Sequence, residues 1–374
     1  MTDRVAVEDE VLAKAREAMD ARGLDALVPM SPENLAYASG AAPPSQKTVR
    51  SRLAGAILPS SGPTEVVTVA LEAPLVRSQS RLDDVTAYEE FVDHPVEVIA
   101  ASLRDRGLGG SRIGVETRYL SHADYELLDS SLPAAELVPA DALWEDMRLV
   151  KTGAEIERIR SIGQAAQRIT EECVGVVRAG SSERELGNLI TERYYDAGGD
   201  ALTMLVVGSG ERSAHLNAPP TDRELQRGDV VRTDVIGTAG HYYSDVARTA
   251  VVGEPSAEQV KVYDLLVDVH ERCLDALRPG ALTGDVYRIY HDAMEAAGLP
   301  PYHFVGHGLG VTLHEEPFIN ALGSIPLEEG MVLCIEPLTS VEGRFGMQVE
   351  DEVLITSGGY EPLTRVGEIL TVGA

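Results

Sequence analysis

Two stretches about a hundred residues apart carry the same device, and few folds satisfy both at once. The first reads Gly228-Asp-Val-Val-Arg-Thr-Asp234-Val-Ile-Gly-Thr-Ala-Gly-His-Tyr-Tyr-Ser-Asp245-Val-Ala-Arg-Thr. Two strand-like runs flank Gly-Thr-Ala-Gly, which predicts a β-hairpin turning near Ala239 and Gly240. With the turn there, Asp234 and Asp245 stand opposite one another. Directly opposed Cβ atoms lie roughly 4.5–5.5 Å apart, and like charges at that spacing are destabilising. Arg232 and Arg248 are the basic side chains available to compensate; a metal ion would do so better.

The second stretch begins Gly330-Met-Val-Leu-Cys-Ile-Glu336 and continues through Gly343 to Gln348-Val-Glu350-Asp-Glu-Val-Leu-Ile. Here too the first acid falls six residues after a glycine preceded by Leu-x-x, as Leu225-Gln-Arg-Gly matches Leu327-Glu-Glu-Gly. Gly343 is the midpoint between Glu336 and Glu350. The repeat predicts two halves folded against each other around a shared centre. Four carboxylates brought together without a cation are very costly to bury, so a dinuclear metal site is the simplest answer.

Composition narrows the setting. The chain has 374 residues, room for two domains, and a net charge of −28, which disfavours nucleic-acid and anionic-membrane partners. No apolar run approaches the ~18 residues of a membrane span. The charged opening residues lack an apolar leader segment, so no signal peptide is expected. Cys173, Cys273 and Cys334 lie far apart, without metal-ligand spacing, and suit a reducing cytoplasm.

Residues 1–145 read as an α/β domain. Val11, Leu12, Ala15 and Met19 recur at helical spacing before Gly23, and Ser31-Pro32 is an N-cap followed by proline at the first helical position. Strands are predicted at 55–59, 65–69 and 113–116, and helices at 96–106 and 121–130. Residues 146–374 then run helices, hairpin, helices, hairpin, with the helices at 154–179, 182–197, 256–277 and 284–297. His94 and His122 are isolated and read as structural or exposed.

These residues resemble the pita-bread metallohydrolases, the family of aminopeptidase P, prolidase, methionine aminopeptidase and creatinase. Gly23-Leu-Asp-Ala-Leu-Val and Ser31-Pro-Glu-Asn look like the creatinase/prolidase amino-terminal domain, which favours the proline-peptidase and creatinase branch. The resemblance implies an α/β amino-terminal domain, then an α+β pita-bread catalytic domain with an internal pseudo-two-fold repeat. It implies two divalent ions held by Asp234, Asp245, His307 (in Gly306-His-Gly-Leu-Gly), Glu336 and Glu350, with Asp245 and Glu350 bridging. Oxygen-rich ligation with one imidazole suits Mn²⁺, with Fe, Co or Zn as alternatives. Such a pair acidifies a shared water to give a bridging hydroxide and polarises a carbonyl. By position Glu336 is the general base, and His303 and His314 match histidines that contact substrate and stabilise the tetrahedral intermediate. Glu352 is the rival to Glu350 as ligand, and Asp351 is expected on the opposite strand face.

Two positions depart from the proline-peptidase pattern. A substrate-binding histidine is usual 17 residues before the first aspartate, where this chain has Asn217; His215, two residues earlier, shares its face in an extended segment. An arginine is usual two residues before the last glutamate, where this chain has Gln348. The leading expectation is an Xaa-Pro dipeptidase or aminopeptidase P-like hydrolase of an amide C–N bond, acting on a short peptide or small amide, as a cytoplasmic homodimer. Asn217 and Gln348 motivate the alternative of a small-molecule enzyme on the same fold: a creatinase-like amidinohydrolase, an ectoine-type hydrolase or a dimethylsulfoniopropionate-type lyase. Creatinase works without metal, so the five intact ligand types count against that member. They also count against a non-catalytic binding module.

Overall fold

The computed structural model describes residues 4–79, 84–341 and 343–373; Met1–Asp3, at the head of the charged opening segment, fall outside it. Alternating apolar spacing produces the first layer of structure. In α1 (Arg4–Arg22) Val11, Ala15 and Met19 of the predicted stripe are fully buried and Leu12 is half-buried, and Gly23 ends the helix at φ 62°. Then come β1 (Ala26–Val28), α2 (Pro32–Ser39), β2 (Gly55–Pro59), β3 (Glu65–Val69), α3 (Ala73–Gln79), β4 (Asp84–Tyr88), α4 (Pro95–Asp105), β5 (Arg112–Val115), α5 (His122–Ser131), β6 (Glu136–Pro139) and α6 (Asp141–Leu149). Ser31 caps α2 by accepting from the Asn34 N–H, with Pro32 inside the first turn. The strands form one mixed sheet in the order β4-β3-β2-β1-β5-β6. The chain divides into two units, Met1–Arg148 and Leu149–Ala374.

In the second unit each helix pair precedes a hairpin. The first pair is α7 (Gly153–Val176) and α8 (Glu183–Asp196), followed by β7 (Ala201–Ser209), β8 (Val230–Ala239) and β9 (Tyr242–Val252). The second pair is α9 (Ala257–Asp275) and α10 (Thr283–Ala296), followed by β10 (Phe304–Gly308), β11 (Glu315–Asn320) and β12 (Val332–Ile335). The chain ends with β13 (Leu338–Val341), β14 (Phe345–Gln348), β15 (Asp351–Thr356), β16 (Gly359–Pro362) and β17 (Leu370–Val372). Sheets of order β17-β9-β8-β7 and β11-β10-β12-β15-β16 carry the two halves. The repeat extends to the backbone. Left-handed glycines recur at Gly180 and Gly280, Gly198 and Gly298, and Gly228 and Gly330. Isolated bridges recur at Ser182 with Glu224 and at Leu282 with Pro326.

The first hairpin corrects the predicted turn. Ala239 pairs with Tyr242, so the two-residue turn is Gly240-His241, with φ 57° and 73°. A two-residue turn with positive φ at both centres matches the right-handed twist of its strands, and that preference decides the register. Asp234 therefore pairs with Ala247 and Asp245 with Ile236; the two acids are diagonal neighbours on one face rather than direct partners. In the second hairpin Ile335 pairs with Asp351 and Leu338 with Gln348. These pairs bracket Glu336 and Glu350 at one level, about the predicted midpoint Gly343.

Candidate metal centre

Strand pleating and hairpin register gather the acids. The two hairpins are sewn together beneath them. Arg248, on β9, donates to the Glu350 carbonyl; the Thr249 hydroxyl donates to the Gln348 carbonyl over 2.7 Å; and the Asp245 N–H donates to Glu352 Oε1 over 2.9 Å. Asp234, Asp245, His307, Glu336 and Glu350 are each 8 % exposed or less. His307 Nε2 lies 3.6 Å from Asp245 Oδ2 and 3.4 Å from Glu336 Oε1.

All five side chains turn a polar atom inward with no hydrogen-bond partner: Asp234 Oδ1, Asp245 Oδ1, His307 Nε2, Glu336 Oε1 and Glu350 Oε1. An unsatisfied buried polar atom costs about 1–3 kcal/mol, and the ligand atoms of Asp245, His307 and Glu350, with Cys334, lie within 4.8 Å of one another, a group that could hold a metal ion. The tautomer of His307 fits as well. Its Nδ1 lies 3.0 Å from the Gly308 carbonyl, which only accepts, so the proton sits there and the Nε2 lone pair is free for a metal. Burial pushes Asp245 well above the carboxylate range, reinforced by Asp234 and Glu336; burial does the same to Glu350, reinforced by Asp245 and Glu336. Burial also raises Asp234, against the opposing pull of Arg232. A divalent ion would reverse these shifts.

The neighbouring acids have other partners. Asp351 is taken up by Arg248 Nη2 at 3.0 Å, the Thr364 hydroxyl at 2.9 Å and the Val366 N–H at 2.7 Å. Glu352 supports Asp245 through its backbone, and burial lifts it to about 8. Cys334, given no role from its sequence spacing, pairs across the ladder with His307; its sulfur lies within 4.8 Å of ligand atoms of Asp245, His307 and Glu350. Burial and the acids around it hold the thiol protonated.

A cleft of about 300 Å³ opens onto this centre, walled by Met204, Leu216, Ile236, Phe304, Leu313 and Leu338. Asn217, His314 and Gln348 line it beside Asp234, Asp245 and Glu336. His314 stacks on His307 at the mouth, with ring centroids 3.8 Å apart. Gln348 is buried, and its amide lies 3.3 Å from both Glu336 Oε2 and Glu350 Oε2. Two expected site residues are not gathered in: His303 and His215 are exposed and do not line the cleft, although the His215 carbonyl accepts from Arg232. Sequence reasoning passed over the apolar wall, whose residues come from six separate segments. No helix among the described residues is long and apolar enough to cross a membrane.

Comparison with known proteins identifies the family. Residues 157–357 match Metallopeptidase family M24, and residues 12–150 match the Creatinase/Prolidase N-terminal domain. A protein of Mycobacterium bovis named probable dipeptidase PepE is 30 % identical over 93 % of this chain and 92 % of its own. The Xaa-Pro dipeptidase of Pyrococcus furiosus is 28 % identical over 95 % of this chain and 98 % of its own. The crystal structure of an X-Pro aminopeptidase from Thermotoga maritima superposes with a TM-score of 0.87 over 96 % of this chain and 99 % of that one; at 24 % identity it shows the shared fold. The expected architecture, a creatinase-type amino-terminal domain followed by a pita-bread domain, is the one observed.

Proposed function

The chain belongs to metallopeptidase family M24 and is a metal-dependent peptidase, and from that premise we propose that it removes amino acids from Xaa-Pro dipeptides or short Xaa-Pro peptides using two divalent ions, Mn²⁺ foremost. The observation that carries this reading is the buried group of Asp234, Asp245, His307, Glu336 and Glu350, three of which (Asp234, Asp245 and Glu336) line a cleft sized for a short peptide. Asp234 and Asp245 from the first hairpin, with His307, Glu336 and Glu350 from the second half, are the residues that would hold the ions. When bound, two such ions acidify water and polarise the scissile carbonyl.

The chain's own groups supply the rest. Gln348 holds one oxygen of Glu336, which steadies the carboxylate that serves as proton acceptor for the attacking water. Partial burial and the ring of His307 lower His314 to about 4, so at neutral pH it is an uncharged imidazole. An N–H at the mouth of the cleft suits it to donate to the carbonyl oxygen as charge develops there. The aliphatic wall of Leu216, Ile236, Leu313 and Leu338 offers a proline ring an apolar bed, and Asn217 offers an amide to the peptide. The buried unpaired cysteines and the net charge of −28 suit a reducing cytoplasm and a small substrate rather than nucleic acid, and the family resemblance favours a homodimer. The test is elemental analysis of the purified protein with a screen of Xaa-Pro dipeptides in Mn²⁺. Near two metals per chain with proline release supports the reading; metal without turnover across a broad panel refutes the proline specificity.

A further inference from the structure

We propose that Arg232 is a positioning residue that sets the metal-binding glutamates through Gln348 and fixes the substrate-lining loop in the same act. The inference rests on the metal-centre reading above. Arg232, on β8, is 2 % exposed and makes no contact with bulk water worth the name of solvation. Its Nε donates to the Ser213 carbonyl over 3.0 Å, and its Nη2 to the carbonyls of His215, over 2.6 Å, and Leu216. Those residues run into Asn217, so the guanidinium clamps the segment that brings Leu216 and Asn217 to the cleft. Its Nη1 donates to Gln348 Oε1 over 2.6 Å.

That last bond decides which way the Gln348 amide faces. A guanidinium only donates, so the amide oxygen must lie toward Arg232 and the NH₂ toward the two glutamates. The NH₂ has two hydrogens and two acceptors, Glu336 Oε2 and Glu350 Oε2, each at 3.3 Å. Holding those two oxygens leaves Oε1 of each glutamate unpartnered, and these are the atoms that face the centre. With Arg232 replaced by an apolar residue, the Gln348 amide oxygen would lose its buried donor, and only the long contacts from its NH₂ to the two glutamates would remain to hold the side chain. Arg232 Nη1 also lies 4.0 Å from Asp234 Oδ2, so one buried cation faces ligands from both halves. Four of its five N–H groups are committed to Gln348 and the carbonyls of Ser213, His215 and Leu216, and Arg232 is itself among the residues that line the cleft.

The experiment uses the full-length protein stripped of metal and titrated with Mn²⁺ against a fluorescent chelator, with metal-free Tm measured alongside. Arg232→Met and Gln348→Leu should each weaken Mn²⁺ binding about 10- to 100-fold, as loss of an outer partner of metal ligands does. The double variant should bind within about twofold of the weaker single, because both changes break one chain of contacts. A folded Arg232→Met with wild-type affinity, or a double variant whose losses multiply, would overturn the proposal. A role confined to stability would lower metal-free Tm and leave the affinity of the folded protein alone. Should Arg232→Met fail to fold, Gln348→Leu decides, since it leaves the clamp on residues 213–217 in place; unchanged affinity there overturns the proposal too. Wild-type protein that binds Mn²⁺ but releases no proline refutes the Xaa-Pro specificity and leaves the titration to judge Arg232. Wild-type protein that binds no metal overturns both.

Discussion

The rings of His307 and His314 stack with centroids 3.8 Å apart and 28° between their planes. One ring faces the buried acids with a free Nε2, and the other shields it from the cleft mouth. Burial first and His307 second lower His314 to about 4. His314 should therefore stay neutral throughout the range where a free imidazole titrates, and an NMR titration of its ring protons checks this; a midpoint near 6.5 would contradict it. Since its folded value is depressed, any contribution to stability is present above 6.5 and fades as pH falls toward about 4. His314→Gln should lower kcat/KM by about 10²-fold while metal content stays at the wild-type level.

Asp245 and Glu350 are the acids most strongly disfavoured as anions when no metal is bound, by burial and then by the carboxylates around them. Asp245→Asn or Glu350→Gln should thus raise the Tm of metal-free protein, by the equivalent of about 1 kcal/mol. In excess Mn²⁺ the order should reverse, because the variant forgoes the stabilisation that ligand binding gives the native state. Either Ala variant should abolish peptidase activity. Paired melting curves with chelator and with Mn²⁺ test the crossover, and its absence would remove these residues from the metal centre.

The same electrostatics set a pH dependence opposite to that of most carboxylates. Glu352 moves from 4.5 to about 8 on burial. A raised carboxylate binds its proton more tightly in the folded state, so its contribution is full below 4.5 and is lost as pH rises toward 8. Asp245 and Glu350 act in the same direction without metal. Chelated protein should lose stability relative to Mn²⁺-loaded protein as pH rises from 5 to 8, by urea denaturation at several pH values. A gap that narrows over that interval would refute the assignment.

Gly163, on α7, leaves room for Glu352: a Cβ there would collide with the Glu352 carboxyl. Because Glu352 Oε1 accepts from the Asp245 N–H, the collision would reach the metal centre. Gly163→Ala should cost about 1–3 kcal/mol by overpacking and should also weaken Mn²⁺ binding. A variant that keeps both stability and affinity would show that Glu352 has space to move.

Much of the centre was legible in the sequence because it is written as local pattern. The glycine-to-acid spacing before Asp234 and Glu336 and the helix cap at Ser31 are short-range signals, whereas the family pattern singled out Glu350 from its acidic neighbours. The turn was misplaced by one residue because His241 adopts a left-handed φ of 73°, a conformation its residue type does not advertise. From the sequence Arg232 reads as a charge available to offset Asp234 and Asp245, but its bond to Gln348 and the approach of Cys334 were illegible for another reason. Cys334 approaches the centre through cross-strand pairing with His307, and Arg232 acquires its meaning from Gln348, 116 positions away. The exposed positions of His303 and His215 follow from chain entry into β10 and from the turn at 210–214, neither of which the spacing of histidines encodes.

Asp234 and Asp245 come from one half of the repeat, and His307, Glu336 and Glu350 from the other. No half alone assembles a complete donor set, so a misregistered pairing of the two hairpins would present a wrong cavity to the ion. Metal occupancy then doubles as an assembly inspection. On the proposed ligand set, a population that holds metal tightly would have its halves docked correctly, and misdocked copies would form the fraction that chelators strip first.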